Sequence, residues 1–294
     1  MSTTARTRAI AALIVASFLF GATFVVIKSA LEDIPPLSFV AWRFLIGSLA
    51  LVAISVPRGR QIWRDGAIAG LALFAGYSLQ TAGLQLTSAS NSALITGLYV
   101  VLTPFLAGLF HRFRPSGWSV GAAGLAFIGL VLVTGTDSLS LSPGDLLTLG
   151  CAVAFAFHIV ALSRLAPRHA VVPFTAVQLA VTALLAIPTA AVVDGFSMPD
   201  RSVWGALAVV GIGVTVGAFV LQIWAQTVVG AATTAVVLAA EPAFGVATAW
   251  AVLGDRLDWV GWVGAGLILS AMAIVVTKQR DQSSIQAEAV TPAH

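Results

Sequence analysis

The sequence predicts an all-α integral membrane protein with ten transmembrane helices, arranged as two inverted repeats of five helices. Three observations lead to this fold class. Hydrophobic residues make up 59% of the 294 residues and charged residues only 9%, whereas soluble domains carry about 25% charged residues. Ten apolar segments approach the ~20 residues that a helix needs to cross a bilayer. The second half of the chain also resembles the first, and the alternation typical of a transmembrane β-barrel is absent.

The ten predicted spans are separated by charged residues, Pro, Gly or short polar turns, which leave no room for a soluble domain. Span 1 follows Arg6 and Arg8 as a signal peptide would, but its apolar run is too long for an h-region, so we expect it to be retained. The tail after Lys278 is polar and is predicted to be disordered. The spans are approximately 9–30, 36–56, 65–86, 90–110, 117–136, 145–166, 171–193, 203–226, 231–253 and 258–277.

Lys and Arg are distributed unevenly between the two predicted faces. With the N-terminus inside, eleven lie on the cytoplasmic side and three (Lys28, Arg201 and Arg256) on the outer side. By the positive-inside rule, we expect both termini of this multi-pass protein to be cytoplasmic. This topology explains the basic residues without a nucleic-acid partner. The cytoplasmic set is Arg6, Arg8, Arg58, Arg60, Arg64, Arg112, Arg114, Arg164, Arg168, Lys278 and Arg280.

The internal similarity follows two fixed offsets. Residues 77–95 match 219–237 at an offset of 142, which places Gln80 on Gln222. Residues 20–26 match 155–161 at an offset of 135. We therefore predict a first repeat over residues 1–137, a second over 138–280 and a cytoplasmic tail over 281–294. Because five is odd, the second repeat enters the membrane from the opposite side, as in many secondary transporters whose substrate site lies between the repeats.

A proline interrupts one span in each half. Thr103–Pro104 in span 4 occupies the place of Glu241–Pro242 in span 9. Each proline removes a helical hydrogen bond and frees a carbonyl, near Val100 and near Leu238 respectively. Paired interruptions in two halves point to a transport site, and a simple packing kink is the alternative.

Three ionisable residues, Arg43, His158 and Glu241, lie inside predicted spans, where each carries a cost of about 2.5–3.5 kcal/mol. Glu241 lies half-way along span 9 and needs a partner, a proton or water. It is either a proton-coupling group or a neutral acid that hydrogen-bonds to a neighbouring helix. Arg43 lies roughly 10 Å from the outer end of span 2, where it either extends to the interface or pairs with Glu241.

Several polar and aromatic residues inside spans are candidates for substrate binding. His158 is the counterpart of Thr23, and the amides of Gln80 and Gln222 could bind a substrate or hold helices together. Aromatic side chains with sparse polar groups suit a largely apolar solute with a polar head, although ordinary packing explains any one of them. The candidate set is Phe20, Thr23, Trp42, Tyr77, Gln80, Tyr99, His158 and Gln222.

Catalytic and cofactor-binding motifs are absent from the sequence. It contains no phosphate-binding loop, metal-ligand cluster or nucleophile elbow, so we expect neither an enzyme nor ATP-driven transport by this chain alone. No cofactor or metal is predicted, and Cys151 has no partner for an intrachain disulfide. The expected partners are a small-molecule substrate and the lipid bilayer.

Residues 8–278 resemble the EamA type of the drug/metabolite transporter superfamily. The resemblance rests on Phe20–Gly21, the WRF at 42–44, TSASNSALI at 87–95 and the run at 241–275 that begins EPAFG and continues through LGDRL. Within the superfamily the chain is most similar to YddG-like exporters of aromatic and other amino acids. It departs from the family pattern in span 4, where TP stands in place of EP.

The resemblance implies a basket of helices around a central cavity and export of a substrate held near mid-membrane by alternating access. The leading hypothesis is a secondary transporter of the bacterial inner (plasma) membrane that exports amino acids, with aromatic and other apolar ones favoured. The alternatives are efflux of another amphipathic metabolite or drug, and a passive channel.

Overall fold

The computed structural model describes residues 3–84, 86, 95–111, 115–134, 142–253 and 259–290. All regular secondary structure in these residues is helical, as the composition predicts. Some predicted features lie outside them: the motif residues 87–94, the repeat boundary at 137 and 138, and the loop residues 112–114 and 254–258. The ring of Pro242 and the side chain of Lys28 are likewise not described.

Twelve α-helices, one 3-10 turn and one π-helical segment make up the described part. In chain order they are α1 (Thr3–Ala30), α2 (Pro36–Ile54), α3 (Arg60–Leu84), α4 (Tyr99–His111), α5 (Gly117–Thr134), α6 (Pro143–Leu165), the 3-10 turn Ala166–Arg168, α7 (Val171–Val193), α8 (Arg201–Ala208), the π segment Val209–Val216, α9 (Gly217–Gln226), α10 (Ala231–Leu238), α11 (Glu241–Leu253) and α12 (Trp259–Val290).

Five helical stretches of the described residues are long and apolar enough to cross a membrane. They are Thr4–Thr23, Pro36–Ile54, Pro143–Arg168, Val171–Val193 and Arg201–Gln226, and shorter apolar helices lie at Ile95–Phe110, Gly117–Leu132, Ala231–Gly245 and Trp259–Ile274. The chain is therefore a multi-pass membrane protein, and the count of ten spans stays a prediction.

The last helix differs from the predicted disordered tail. Helix α12 continues through the membrane segment to Val290, so residues 281–290 are helical. Gln, Ala and Glu in this stretch have high helix propensity, and no proline occurs before Pro292. Polar composition indicates contact with water, but it does not prevent a helix from continuing.

Helix boundaries in the two halves recur at the offsets that the sequence similarity follows. At 135 residues, the end of α1 at Ala30 corresponds to the end of α6 at Leu165, and the start of α2 to the start of α7. At 142 residues, α4 corresponds to α11 at both ends, and both helices have 13 residues. Residues that share an offset therefore occupy equivalent positions in equivalent helices.

Helices of one half pack mainly against helices of the other. Helix α1 packs against α9 and α11, while its counterpart α6 packs against α3 and α4. Helix α2 packs against α7, and α5 against α12. A large apolar cluster extends through most of these helices. A smaller cluster lies around Phe39, where the end of α1, the beginning of α2 and the α8 region meet.

Two backbone irregularities affect the centre of the molecule. The π segment Val209–Val216 interrupts the span that runs from α8 to α9, and such segments are frequent at functional sites. In the next span, α10 ends at Leu238 and α11 begins at Glu241 after the turn residues Ala239 and Ala240. In the first half, the break before α4 lies at Leu98, the counterpart of Ala240 at an offset of 142.

Candidate functional site

Arg43 is the charged centre of the interior. It is 4% exposed, and its Nε donates a hydrogen bond of 2.6 Å to Oγ1 of Thr215, a residue of the π segment. Its guanidinium carbon lies 5.2 Å from the ring centroid of Tyr77 and 5.5 Å from that of Phe44. Contacts of this kind stabilise a desolvated cation by about 2 kcal/mol. The two rings and one hydroxyl thus replace part of the hydration that Arg43 lacks.

Aromatic rings form a continuous chain around Arg43. Phe44 contacts Tyr77 at 5.0 Å between centroids and Phe219 at 6.2 Å. Phe219 then contacts Phe20 at 5.1 Å, and Tyr77 contacts Phe155 at 5.3 Å. These two outer contacts are equivalent, because Phe20 and Phe155 correspond at one repeat offset and Tyr77 and Phe219 at the other. The five rings form one connected aromatic cluster, and two of them, Phe44 and Tyr77, contact the guanidinium.

Glu241 lies at the helix break beside this chain of rings. It is the first residue of α11 and only partly buried. Its carboxyl interacts electrostatically with Arg43, Tyr77 and Tyr99. Arg43 and Glu241 do not come within 4.0 Å of each other, since His169–Asp65 is the ion pair present among the described residues. The direct pair that the sequence allows is therefore not formed, and the guanidinium and the carboxyl stand apart within one region.

The carbonyl freed by Pro242 has a partner on α1. Pro242 has no N–H to donate to Leu238, and the Ser17 hydroxyl donates to that carbonyl at 3.4 Å. Ser17 is fully buried. In the first half, the Thr103 hydroxyl next to Pro104 donates to the Tyr99 carbonyl at 2.6 Å within α4. The break in span 9 is thus held by a contact between the halves.

Two of the predicted substrate residues are bonded within the protein. His158 is 2% exposed, and its Nε2 lies 3.1 Å from Oε1 of Gln178, which joins α6 to α7. Gln222 donates to Gln226 at 3.3 Å, and Gln226 donates to the Ile159 carbonyl at 2.8 Å, which joins α9 to α6. These bonds favour the helix-joining interpretation of His158 and Gln222.

The remaining candidates divide between the centre and the periphery. Gln80 donates to Thr96 at 3.4 Å, beside Cys151, and Thr23 donates to the Phe20 carbonyl at 2.6 Å. Trp42 lies apart in the smaller apolar cluster. Its indole N–H donates to the Ser197 carbonyl at 3.0 Å and its ring stacks on Phe196 at 5.6 Å. The structure therefore brings Phe20, Tyr77, Tyr99, Arg43 and Glu241 together and separates Trp42 from them.

Sequence reasoning did not select Phe44, Phe219, Thr215 or Ser17 as site residues. The offset of 142 places Phe219 on Tyr77, so the repeat itself could have identified Phe219. No comparable signal marks Thr215, because its role depends on the π segment that faces α2. In the described part, no three His, Cys, Asp or Glu side chains lie together as metal ligands would.

The sequence matches the model of the EamA-like transporter family in two consecutive segments, residues 7–135 and 142–277. The chain belongs to the EamA-like transporter family. This family is part of the drug/metabolite transporter superfamily, and the two segments together cover most of the chain.

Full-length relatives of this EamA-like transporter occur in archaea and bacteria. It is 31% identical over 263 residues to an uncharacterized transporter of Archaeoglobus fulgidus, a match that covers 90% of this chain and 84% of the relative. It is 26% identical over 279 residues to the uncharacterized inner membrane transporter YedA of Escherichia coli, with 90% and 89% covered. A solved crystal structure with 20% sequence identity has the same fold, with a TM-score of 0.79 over 96% of this chain and 99% of that one.

Proposed function

We propose that this EamA-like transporter exports amino acids across the bacterial inner membrane by alternating access, with aromatic and other apolar amino acids favoured. Membership of the family supports transport. The finer proposal, that the substrate is an amino acid, rests on one observation: a buried guanidinium and a partly buried carboxyl share one aromatic region without pairing.

The arrangement suits a zwitterion with an apolar side chain. A guanidinium has five N–H donors in a planar fork that matches a carboxylate, and Nε of Arg43 uses one of them on Thr215. Glu241 offers a negative charge for an ammonium group. The rings of Phe44, Tyr77 and Phe219 offer the apolar surface for a side chain. A bound amino acid would thus neutralise both protein charges, which are costly when they stand unpaired in a membrane.

Alternating access is supported by the two-fold pattern of the chain. We propose that residues 1–137 and 138–280 are repeats inserted in opposite orientations. Helix boundaries that recur at fixed offsets support this proposal, as does the match of the family model to two segments. In inverted repeats, the substrate site lies near the midplane where discontinuous helices meet. We propose that Glu241, at the break between α10 and α11, marks this site.

Transport into liposomes tests the proposal. Purified protein would be reconstituted and the uptake of labelled Trp, Phe, Met, Thr and Asp measured with and without a pH gradient and with unlabelled competitor. We expect saturable uptake of Trp, Phe and Met. Arg43→Gln should reduce this uptake at least tenfold through a higher KM, because loss of a charge-assisted bond costs about 1.5–3 kcal/mol.

Arg201→Gln is the matched control, since Arg201 is exposed at the start of α8 and its loss should leave KM unchanged. Dependence of uptake on the pH gradient, abolished by Glu241→Gln, would assign proton coupling to Glu241. Absence of saturable flux for every amino acid would contradict the proposal and favour efflux of another amphipathic metabolite. Non-saturable flux would favour a passive channel.

A further inference from the structure

A basic pocket lies at one end of the helix bundle, away from Arg43. It has a volume of about 480 Å³ and is formed by the α2–α3 loop, the first turn of α3 and the segment that joins α6 to α7. Three arginines from these three places line it: Arg58, Arg60 and Arg168. All three are exposed, and none forms an ion pair within 4.0 Å with an acid of the described residues.

The nearby acid already has a hydrogen-bond partner within the protein. Asp65, on α3 one turn beyond the lining residues, accepts from Nε2 of His169 at 2.8 Å, and both side chains are less than a tenth exposed. His169 also stacks on Phe174 at 5.0 Å between ring centroids. This contact fixes the α6–α7 connection against α3 and so fixes the position of Arg168 next to Arg58 and Arg60. The pocket therefore presents a preformed group of guanidinium charges.

Helix termini add to its preference for an anion. Helices α3 and α7 both begin at the pocket, and N-terminal amides attract negative charge. Ala170, the N-cap residue of α7, offers no side-chain acceptor to the first-turn amides. Gly59 adopts a φ of +93° in the loop, a conformation that favours glycine and turns the chain between Arg58 and Arg60.

Exposed apolar side chains lie in and near the pocket lining. Val56 lines the pocket and is 60% exposed, and Trp63, one turn after Arg60, is 46% exposed. Tryptophan with an exposed ring is typical of the membrane–water interface. A ligand in this pocket would therefore have both guanidinium groups and exposed apolar side chains within reach.

We propose that this pocket binds a phosphate group, and that its source is the headgroup of an anionic phospholipid whose acyl chains lie against Val56 and Trp63. Basic pockets between transmembrane helices bind such headgroups, and arginine forks match phosphate oxygens bidentately. By the positive-inside rule this face is cytoplasmic. The site is separate from the central region of Arg43 and does not depend on what the protein transports.

Native mass spectrometry of the detergent-solubilised full chain tests the proposal. The probes are phosphatidylglycerol, phosphatidylcholine with the same acyl chains, and inorganic phosphate. We expect phosphatidylglycerol adducts at concentrations where phosphatidylcholine gives none. Arg58→Gln/Arg60→Gln/Arg168→Gln should weaken this binding by about tenfold or more, as each basic residue near a membrane surface contributes to anionic lipid binding. The corresponding triple Lys variant should recover part of it, because it keeps the charge but not the fork.

The control variant is Arg8→Gln/Arg64→Gln/Arg164→Gln, which removes the same charge from the same predicted face but from outside the pocket lining. Equal weakening in this variant would overturn the proposal, because binding would then follow diffuse charge. Inorganic phosphate that binds alone as tightly as the lipid, and displaces it, would assign the pocket to a free phosphate and overturn the lipid source. Equal binding of phosphatidylcholine, whose phosphate is paired with a choline cation, would overturn the proposed selectivity for an anionic headgroup.

Discussion

Gly21 lies where α1 passes closest to the helix break in span 9. A Cβ at this position would lie 2.8 Å from the amide nitrogen of Gly245 and 2.9 Å from Cβ of Phe244. Both neighbours belong to α11, so neither can move without moving the helix that begins at Glu241. The absence of a side chain at Gly21 is therefore what allows α1 to approach the first turn of α11, which begins at Glu241.

Gly21→Ala should destabilise the protein by about 1–3 kcal/mol, since overpacking forces backbone shifts in a filled interior. The measurement is thermal unfolding in detergent. Gly121→Ala is the control, because a Cβ on Gly121 in α5 meets nothing within 4 Å and alanine favours the helix by roughly 0.5–1 kcal/mol. Equal melting temperatures for Gly21→Ala and wild type would contradict the close approach.

Arg43 shows how a single charge is tolerated in the interior. Its position in span 2 suggested either an extended side chain or a pair with Glu241, and the structure shows neither. The cation is held by the Thr215 hydroxyl and by the faces of Tyr77 and Phe44. Hydrogen bonding and cation–π contacts together replace part of the hydration that this cation lacks.

The helix break between α10 and α11 depends on its contact with α1. Ser17 donates to the Leu238 carbonyl, which Pro242 leaves without its helical donor. A buried carbonyl without any partner costs about 1–3 kcal/mol. Helix α1 therefore contributes to the stability of the break as well as packing against it.

A double-mutant cycle measures this dependence. Ser17→Ala alone should lower the free energy of unfolding by about 1 kcal/mol or more, because it leaves the Leu238 carbonyl unpaired. In a Pro242→Ala background the restored amide can serve this carbonyl, so Ser17→Ala should cost much less, with a coupling energy of about 0.5–3 kcal/mol. Additive effects of the two substitutions would show that Ser17 does not serve the break.

The π segment brings α2 and the α8–α9 span close together. A Cβ on Gly47 would lie 3.2 Å from the Gly211 carbonyl, and a Cβ on Gly211 would lie 3.2 Å from the Arg43 carbonyl. This approach places Thr215 within hydrogen-bonding distance of Arg43. Gly47 and Gly211, which face each other across the interface between α2 and the π segment, thus determine the position of Thr215 relative to Arg43.

The orientation of the whole molecule is open to a labelling test. The positive-inside rule places the α2–α3 loop in the cytoplasm and the α7–α8 loop outside. Gln61→Cys and Met198→Cys place thiols at exposed positions in or beside these loops. Cys151 is fully buried and should not react.

A membrane-impermeant maleimide applied to intact cells should label Met198→Cys and leave Gln61→Cys unlabelled until the membrane is permeabilised. The reverse pattern would invert the predicted topology. Labelling of both variants in intact cells would contradict the prediction that the α2–α3 loop and the α7–α8 loop lie on opposite sides of the membrane.

Much of the fold could be predicted from the sequence, because it follows from local composition and from the offsets at which the sequence repeats. The low content of charge required a membrane, and runs of about 20 apolar residues located the helices. The offsets of 135 and 142 residues predicted which helices correspond, and helix boundaries recur at the same offsets. Among the described residues, the end of α12 differs from the prediction, since polar composition was interpreted as disorder where the chain is helical to Val290.

The sequence by itself determined the class of protein, the two-fold pattern and the few polar residues that the interior contains. Tertiary structure decided which of them meet, because those contacts join helices far apart in the chain. Thr215 reaches Arg43 across 172 positions and Ser17 reaches Leu238 across 221. Packing of α2 on the π segment and of α1 on the helix break creates both contacts. Local sequence patterns carry no information on either of these long-range contacts. The sequence therefore identified the ionisable residues of the interior but not their partners.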